Sequence, residues 1–286
     1  MSNNNIGQLL NLALKNYSIH RLDAELLLAG VTNLSRVKIK ISHDQILDDL
    51  TIKKFLDLVR KRAQGIPVAY LVGYKDFWTF SLIINQNVLI PRIDTEVLVE
   101  TALEYLPQDS SATILDLGTG SGAIALALAL ERPNSSVVGV DFNPEAVKLA
   151  QLNAGRLHVD NVRFFESNWF SNVSDKFQMI VANPPYIADN SSALEPDVAK
   201  HEPASALYAG QDGLDALREI LKNLMAYLEL GGYFIVEHGY DQSPEVRKLL
   251  QHAGLINVLT VNDLAGHPRV SLGIKNDGKS SDVLAL

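Results

Sequence analysis

Hydrophobic positions in the first 65 residues recur at helical spacing. Ile6, Leu9, Leu10 and Ala13 form one stripe, Leu22, Leu26 and Ala29 a second, and Ile52, Phe55, Leu56, Val59 and Ala63 a third. Gly65-Ile66-Pro67 then reads as a stop signal. Short helices with close turns predict a small bundle. Over residues 70–90 the period changes: 77–84 is rich in β-formers, Asn85-Gln86-Asn87 is turn-like and Val88-Leu89-Ile90 is again extended, which predicts a β-hairpin. A helix follows to about Leu106 with Asp94 or Thr95 as N-cap. Beyond residue 113, apolar runs alternate with helical stripes. Strands are expected at 113–117, 137–140, 162–165, 177–182 and 233–237. Helices are expected at 120–131, after Asn143-Pro144, at 213–228 and from Ser243, with a closing β-pair at 258–261 and 270–275. This alternation predicts an α/β domain, a parallel sheet covered on both faces, with ligands at the carboxyl ends of its strands. The expected plan is a helical domain over 1–68, a hairpin linker over 69–92, the α/β domain over 93–276 and a frayed tail over 277–286.

Composition narrows this picture. The chain has 286 residues, room for one large and one small domain. It has no cysteine, which removes disulfides and thiolate metal sites and points to a cytoplasmic protein. No secretory signal opens the chain, and its longest aliphatic stretch, 123–130, is far short of the ~20 residues that span a bilayer. The net charge of −8 is uneven: residues 1–85 carry 11 Lys and Arg against 7 Asp and Glu, the remainder 14 against 26. An acidic main domain is a poor non-specific polyanion binder. The basic run from Lys53-Lys54 to Arg60-Lys61-Arg62 reads as a solvated helix face, or as a contact for an acidic partner.

Two stretches carry candidate chemistry. Asp116-Leu117-Gly118-Thr119-Gly120-Ser121-Gly122 lies where the first strand turns into a helix, and its glycines let a ligand approach the backbone closely. Asp141 ends the second strand, where a carboxylate accepts both hydroxyls of a ribose. Both features suit a nicotinamide dinucleotide as well as S-adenosylmethionine. Asp116 favours the latter, because an anion at that strand end suits an ammonium or sulfonium better than a pyrophosphate. Trp169, after the third strand, is placed to flank an adenine, with Asn168 to hydrogen-bond it.

Asn183-Pro184-Pro185-Tyr186 ends the fourth strand, and its two prolines hold the backbone stiff. It offers two acceptors, the Asn183 side-chain oxygen and the Pro184 carbonyl, to the two hydrogens of a planar NH2 group, and the Tyr186 ring to lie under that plane. The same four residues also serve as an ordinary strand-ending turn. Arg92 and Glu96 gate the site or form a helix-start ion pair. His238 reads as a satisfied strand-edge histidine and Trp78 as hairpin core.

Taken together, the chain resembles the release-factor glutamine N5-methyltransferases. The likeness runs from about Leu22 to about Gly273. It rests on Gly65-Ile66-Pro67-x-x-Tyr70, Leu89-Ile90-Pro91-Arg92-x-Asp94-Thr95-Glu96, the glycine loop, Asn183-Pro184-Pro185-Tyr186-Ile187, Glu202-Pro203, Gly213-Leu214 and Asp263-Leu264-x-Gly266. Asn168 stands where the family commonly has aspartate, and Ile93 where it often has proline. The resemblance implies a Rossmann-like class I methyltransferase domain with a mostly parallel seven-stranded sheet, joined to a helical substrate-recognition domain. It implies S-adenosylmethionine as methyl donor, S-adenosylhomocysteine as product and no metal. The substrate implied is the glutamine of the Gly-Gly-Gln motif in peptide chain release factors 1 and 2. Gly118, Thr119, Gly120, Ser121, Gly122, Asp141, Trp169 and Asn183 would contact the donor; Asn183, Pro184, Pro185 and Tyr186 would hold the glutamine, with Asn183, Pro184 and Tyr186 catalytic. A monomer with no direct nucleic-acid contact is expected. The competing readings are an adenine-N6 type nucleic-acid methylase, which shares the Asn-Pro-Pro-Tyr motif, and a non-catalytic donor-binding scaffold.

Overall fold

The computed structural model describes residues 5–191 and 196–276; the expected tail over 277–286 lies outside the described residues. The chain divides into two compact units. One holds the chain up to Tyr74, with Ile84–Gln86 and a segment ending at His201; the other holds Lys75–Ile83, the chain from Asn87 to Ala193 and the chain from Glu202 on.

The first unit is helical. Its helices are α1 (Ile6–Tyr17), α2 (Arg21–Thr32), α3 (Arg36–Ile41), α4 (Asp49–Ala63) and α5 (Val68–Val72). Asn5, Ser35 and Asp48 cap α1, α3 and α4 by accepting N–H groups of the first turns. The α1 stripe is buried as expected, against Phe55 and Val59 of α4. On α2 the stripe is rotated from the expected one. Leu22 is exposed and Leu26 half-buried; Ala29 is buried as expected, but together with Ala24, Leu27 and Leu28. Three consecutive leucines permit either face. The choice falls with Glu25, whose buried carboxylate receives Arg21 and Arg36. The basic residues Lys53, Lys54 and Arg60 are exposed on α4, while Arg62 pairs with Asp23 and Asp197. This helical unit continues through α5 to Tyr74, past the boundary expected at residue 68.

The hairpin is β1 (Tyr74–Phe77) and β2 (Phe80–Ile83), earlier than expected. Trp78, with φ of 54°, makes the turn instead of the Asn85–Asn87 segment. Trp78 is therefore a turn anchor and not hairpin core: its backbone N–H donates to Glu96 and its indole N–H to Glu131. Residues 88–90 are not a strand.

In the second unit, a 3-10 turn (Ile93–Thr95) leads into α6 (Glu96–Glu104), then β3 (Thr113–Leu117), α7 (Ala123–Glu131), β4 (Ser136–Asp141), α8 (Pro144–Leu157), β5 (Val162–Glu166) and β6 (Phe177–Ala182). After the helix Asp215–Tyr227 come β7 (Leu228–Glu237), the helix Ser243–His252, β8 (Leu255–Asn262) and β9 (Pro268–Lys275). The sheet has seven strands in the order β5-β4-β3-β6-β7-β9-β8. Its first five are mutually parallel; β9 runs antiparallel to both its neighbours. Burial on both faces explains the near-continuous apolar runs in β3, β4 and β6, and α7 is buried almost all round. Successive strands step outward from β3 one way and from β6 the other. The strand order therefore reverses between β3 and β6, where a crevice opens at the carboxyl ends.

Candidate active site

At that reversal the loops after β3, β4 and β6 line one cleft, with about 1010 Å³ of empty space including its open mouth. Gly118, Thr119, Gly120, Ser121, Asp141, Trp169, Asn183, Pro184 and Pro185 all lie on its wall.

The glycine loop is built by local bonds. The N–H groups of Gly118 and Thr119 both donate to the Val140 carbonyl at 2.9 Å. Gly120 N–H donates to Asp141 Oδ2 and Asn143 N–H to Asp141 Oδ1, each at 2.9 Å. The φ of Gly120 is +55°, and a Cβ there would meet nothing within 4 Å, so its backbone is open to a ligand. Each Asp141 oxygen keeps a lone pair beyond its one backbone bond. Burial raises the Asp141 pKa, and the backbone N–H groups of Asn143, Gly120 and Phe142 oppose that shift. The open loop and the remaining acceptor capacity of Asp141 fit the ribose end of a nucleoside ligand.

Two expected donor contacts fall elsewhere. A Cβ on Gly122 would meet Leu126, Ala150 and Phe164 at 3.1–3.2 Å, so this glycine serves packing behind the loop and is not on the cleft wall. The Asp116 carboxyl is wholly buried and off the wall as well. Its Oδ2 accepts the Thr119 hydroxyl at 2.6 Å and Ala125 N–H at 3.3 Å, tying the loop to α7. Asp116 thus anchors the loop instead of presenting a charge to a ligand. Burial lifts its pKa to about 7. Asn153, also fully buried, ties the Ser121 carbonyl to both backbone groups of Ile83.

The Asn183–Tyr186 corner is held from a distance. Asn183 Nδ2 donates to Thr95 Oγ1 at 3.1 Å, which leaves Oδ1 as the free end of the amide. The Tyr186 carbonyl accepts Gln242 Nε2 at 2.9 Å. Gly213, at φ of +75°, lies so close that a Cβ would stand 2.2 Å from the same carbonyl. Ile187 bonds on to Leu207 and Ala209. Tyr186 itself is not on the cleft wall; its hydroxyl donates to Glu237 Oε1 at 3.2 Å, and burial raises its pKa.

Several contributors escaped sequence reasoning. Its position marks Thr95 only as an N-cap, but its side chain makes no cap bond and lines the cleft. Glu237 offered no signal beyond ending a strand. Phe142, exposed on the cleft, sits beside Asp141. Arg92 pairs with buried Glu202 at 2.6 Å, and Glu202 Oε2 also accepts Ile90 N–H, which joins the 90–92 segment to the Glu202-Pro203 segment on one side of the cleft. Glu96 takes no part in that pair; it accepts Trp78 N–H. His238 is satisfied, with its ring nitrogens at 2.8 Å from Gly239 O and Ser271 Oγ.

Residues 93–201 match the family described as "Methyltransferase small domain" and residues 10–73 the "PrmC N-terminal domain". A release factor glutamine methyltransferase of Pseudomonas aeruginosa is 46% identical over 254 residues, 88% of this chain and 92% of the relative. The Aliivibrio fischeri protein of the same name is 42% identical over 265 residues, 92% of this chain and 93% of the relative. This chain belongs to the release factor glutamine methyltransferase family. Among solved structures, a methyltransferase from Pyrococcus furiosus aligns with TM-score 0.51 at 18% identity, covering 68% of this chain and 88% of its own. The Thermus thermophilus 16S rRNA N2 G1207 methyltransferase aligns with TM-score 0.52 at 20% identity over 71% of this chain and 50% of its own. These two likenesses establish the class I methyltransferase fold. No helix among the described residues is long and apolar enough to cross a membrane, and no group of three or more acidic or histidine side chains among them could hold a metal.

Proposed function

We propose that this protein methylates the side-chain amide nitrogen (N5) of the glutamine in the Gly-Gly-Gln motif of peptide chain release factors 1 and 2. It would do so as a cytoplasmic monomer that binds no nucleic acid directly. The observation that carries the reading is the shared cleft: the oriented Asn183 amide and the Pro184-Pro185 backbone line the same cleft as Gly118, Gly120 and Asp141.

When bound, S-adenosylmethionine supplies an electrophilic methyl group on a sulfonium and is left as S-adenosylhomocysteine. Asp141 would accept the ribose hydroxyls, the open backbone at Gly118, Thr119, Gly120 and Ser121 would admit the ligand, and Trp169 and Phe142 would flank its adenine. Asn183 would border the methyl-bearing end. Gly122 acts one step behind, by letting α7 and α8 close on the loop.

A glutamine amide is a weak nucleophile because its lone pair is delocalised into the carbonyl. Asn183 Oδ1 and the Pro184 carbonyl accept its two hydrogens and support the positive charge that develops on nitrogen. Pro185 stiffens the corner, and the Tyr186 ring backs it from behind the wall and so holds the direction of attack; alignment supplies much of the rate. The methylated nitrogen is acidic enough to release its proton to water, and the chemistry needs neither a strong base nor a metal. The helical unit would recognise the release factor.

Incubation with methyl-labelled donor and purified release factor, DNA or RNA tests this. Label should enter the release factor and vanish when its Gly-Gly-Gln glutamine is changed to alanine. Label in nucleic acid instead, or in the altered release factor, would refute it.

A further inference from the structure

Each working side chain of the corner ends on a buried group. Tyr186 donates its hydroxyl to Glu237 Oε1 at 3.2 Å. Asn183 donates Nδ2 to Thr95 Oγ1 at 3.1 Å. Glu237 is 1% exposed, and its second oxygen, Oε2, is buried with no hydrogen-bond partner among the described residues. Thr95 is 4% exposed, and its hydroxyl is released from the capping role its position would otherwise give it.

A threonine hydroxyl has one hydrogen to give, and an ionised carboxylate only accepts. If the Thr95 hydrogen goes to Glu237, Thr95 has only acceptor capacity left for Asn183. The amide must then turn its NH2 towards Thr95 and its Oδ1 towards the cleft. The reverse orientation would set two N–H groups against the NH2 of a substrate amide. The Thr95 hydroxyl also stands near enough to Glu237 to counter part of the rise in pKa that burial causes there, which takes the carboxyl to about 7.

We propose that Glu237 is a positioning residue for both: it receives Tyr186 directly and, through the Thr95 hydroxyl, dictates which way round the Asn183 amide lies. The inference rests on the reading of Asn183–Tyr186 as an amide-binding corner. It places the orientation of the reactive geometry in a strand end 51 positions from Tyr186 and a helix start 88 positions from Asn183.

The test compares Thr95→Val, which keeps the shape and loses the hydroxyl, with Thr95→Ser, which keeps the hydroxyl and loses the methyl. Glu237→Gln and Asn183→Ala are assayed beside them in the full chain with release factor. Thr95→Val should lower kcat roughly 10–100-fold, as expected when a reacting group is misplaced, while KM for the donor stays within about threefold. Thr95→Ser should keep kcat within about threefold of the parent. Adding Thr95→Val to Asn183→Ala should cost nothing further, because the two act as one unit. Glu237→Gln, whose amide offers a donor where the carboxylate accepts, should lose kcat to about the same extent as Thr95→Val.

The opposite ranking, with serine impaired and valine active, would reduce Thr95 to packing and overturn the proposal. A Glu237→Gln enzyme with parental kcat would do the same. In both cases an impaired Asn183→Ala would leave the corner itself standing. Full activity in Asn183→Ala would instead remove the corner reading and the proposal with it.

Discussion

The two walls of the cleft are held in different ways. The wall after β3 and β4 is made of neighbouring backbone: Gly118, Thr119 and Gly120 bond to Val140 and Asp141 on the adjacent strand. The wall after β6 is held by side chains from remote parts of the chain, Thr95, Glu237 and Gln242. A backbone-built wall tolerates surface changes and fails when an open glycine gains a side chain. A wall set by side chains fails when one distant donor or acceptor is lost. We expect changes on the first to be felt in donor binding and changes on the second in turnover.

The largest effect belongs to the second wall. Asn183→Ala removes an oriented acceptor and should lower kcat by roughly 10²–10³, with donor affinity little altered. Steady-state kinetics at saturating donor reads it, and a loss confined to donor KM would invert the comparison. Tyr186→Ala should approach that loss. Tyr186→Phe should retain kcat within about tenfold, yet lose about 1–3 kcal/mol of stability because Glu237 Oε1 is left without its donor. Equal kinetic losses for the two would reject a role for the ring.

Asp141→Ala probes the first wall. It removes the acceptor for Gly120 and Asn143 N–H together with the proposed ribose contact. Donor KM should rise by roughly 10–100-fold, on the scale of one lost hydrogen bond to a charged group, with kcat at saturation largely kept. A pure turnover defect in the calorimetric presence of normal donor binding would contradict the assignment.

A glycine pair sharpens the contrast. Gly213→Ala drives a Cβ into the Tyr186 carbonyl, whereas Gly120→Ala meets open space and only the strain of its positive φ, about 1–2 kcal/mol. The first should lower kcat and the second raise donor KM.

These differences also explain what could be read in advance. The alternating strands and helices, the glycine loop and the Asn183–Tyr186 corner are contiguous in sequence, and so they were visible. The role of Asp116 is not legible from spacing, which does not say whether a carboxyl at a strand end faces the cleft or the helix behind it. The hairpin was displaced because Trp78 adopts a left-handed turn that few non-glycine residues occupy. The α2 stripe was ambiguous because Leu26-Leu27-Leu28 fits two faces, and the deciding group was a buried charge, Glu25. Thr95 and Glu237 carried no local mark, since their roles exist only once β6 and β7 lie side by side.

A further effect, on stability alone, concerns pH. Burial lifts Asp116 and Glu237 to about 7. The folded state then holds these protons more tightly than the unfolded chain does. The stability they contribute is complete below their unfolded pKa values and is lost as pH rises through about 7. Asp116→Asn keeps an acceptor for Thr119 and Ala125 while removing one titration. It should flatten the fall in stability between pH 5 and 8 by up to about 1.4 kcal/mol per pH unit, measured by urea unfolding. An unchanged slope would place that titration elsewhere.

The most direct test of the corner is a crystal structure with S-adenosylhomocysteine and a Gly-Gly-Gln peptide. The account predicts the glutamine NH2 within hydrogen-bonding distance of both Asn183 Oδ1 and the Pro184 carbonyl, facing the donor sulfur. A glutamine bound away from Asn183, or an Asn183 amide turned with Nδ2 towards the peptide, would contradict it.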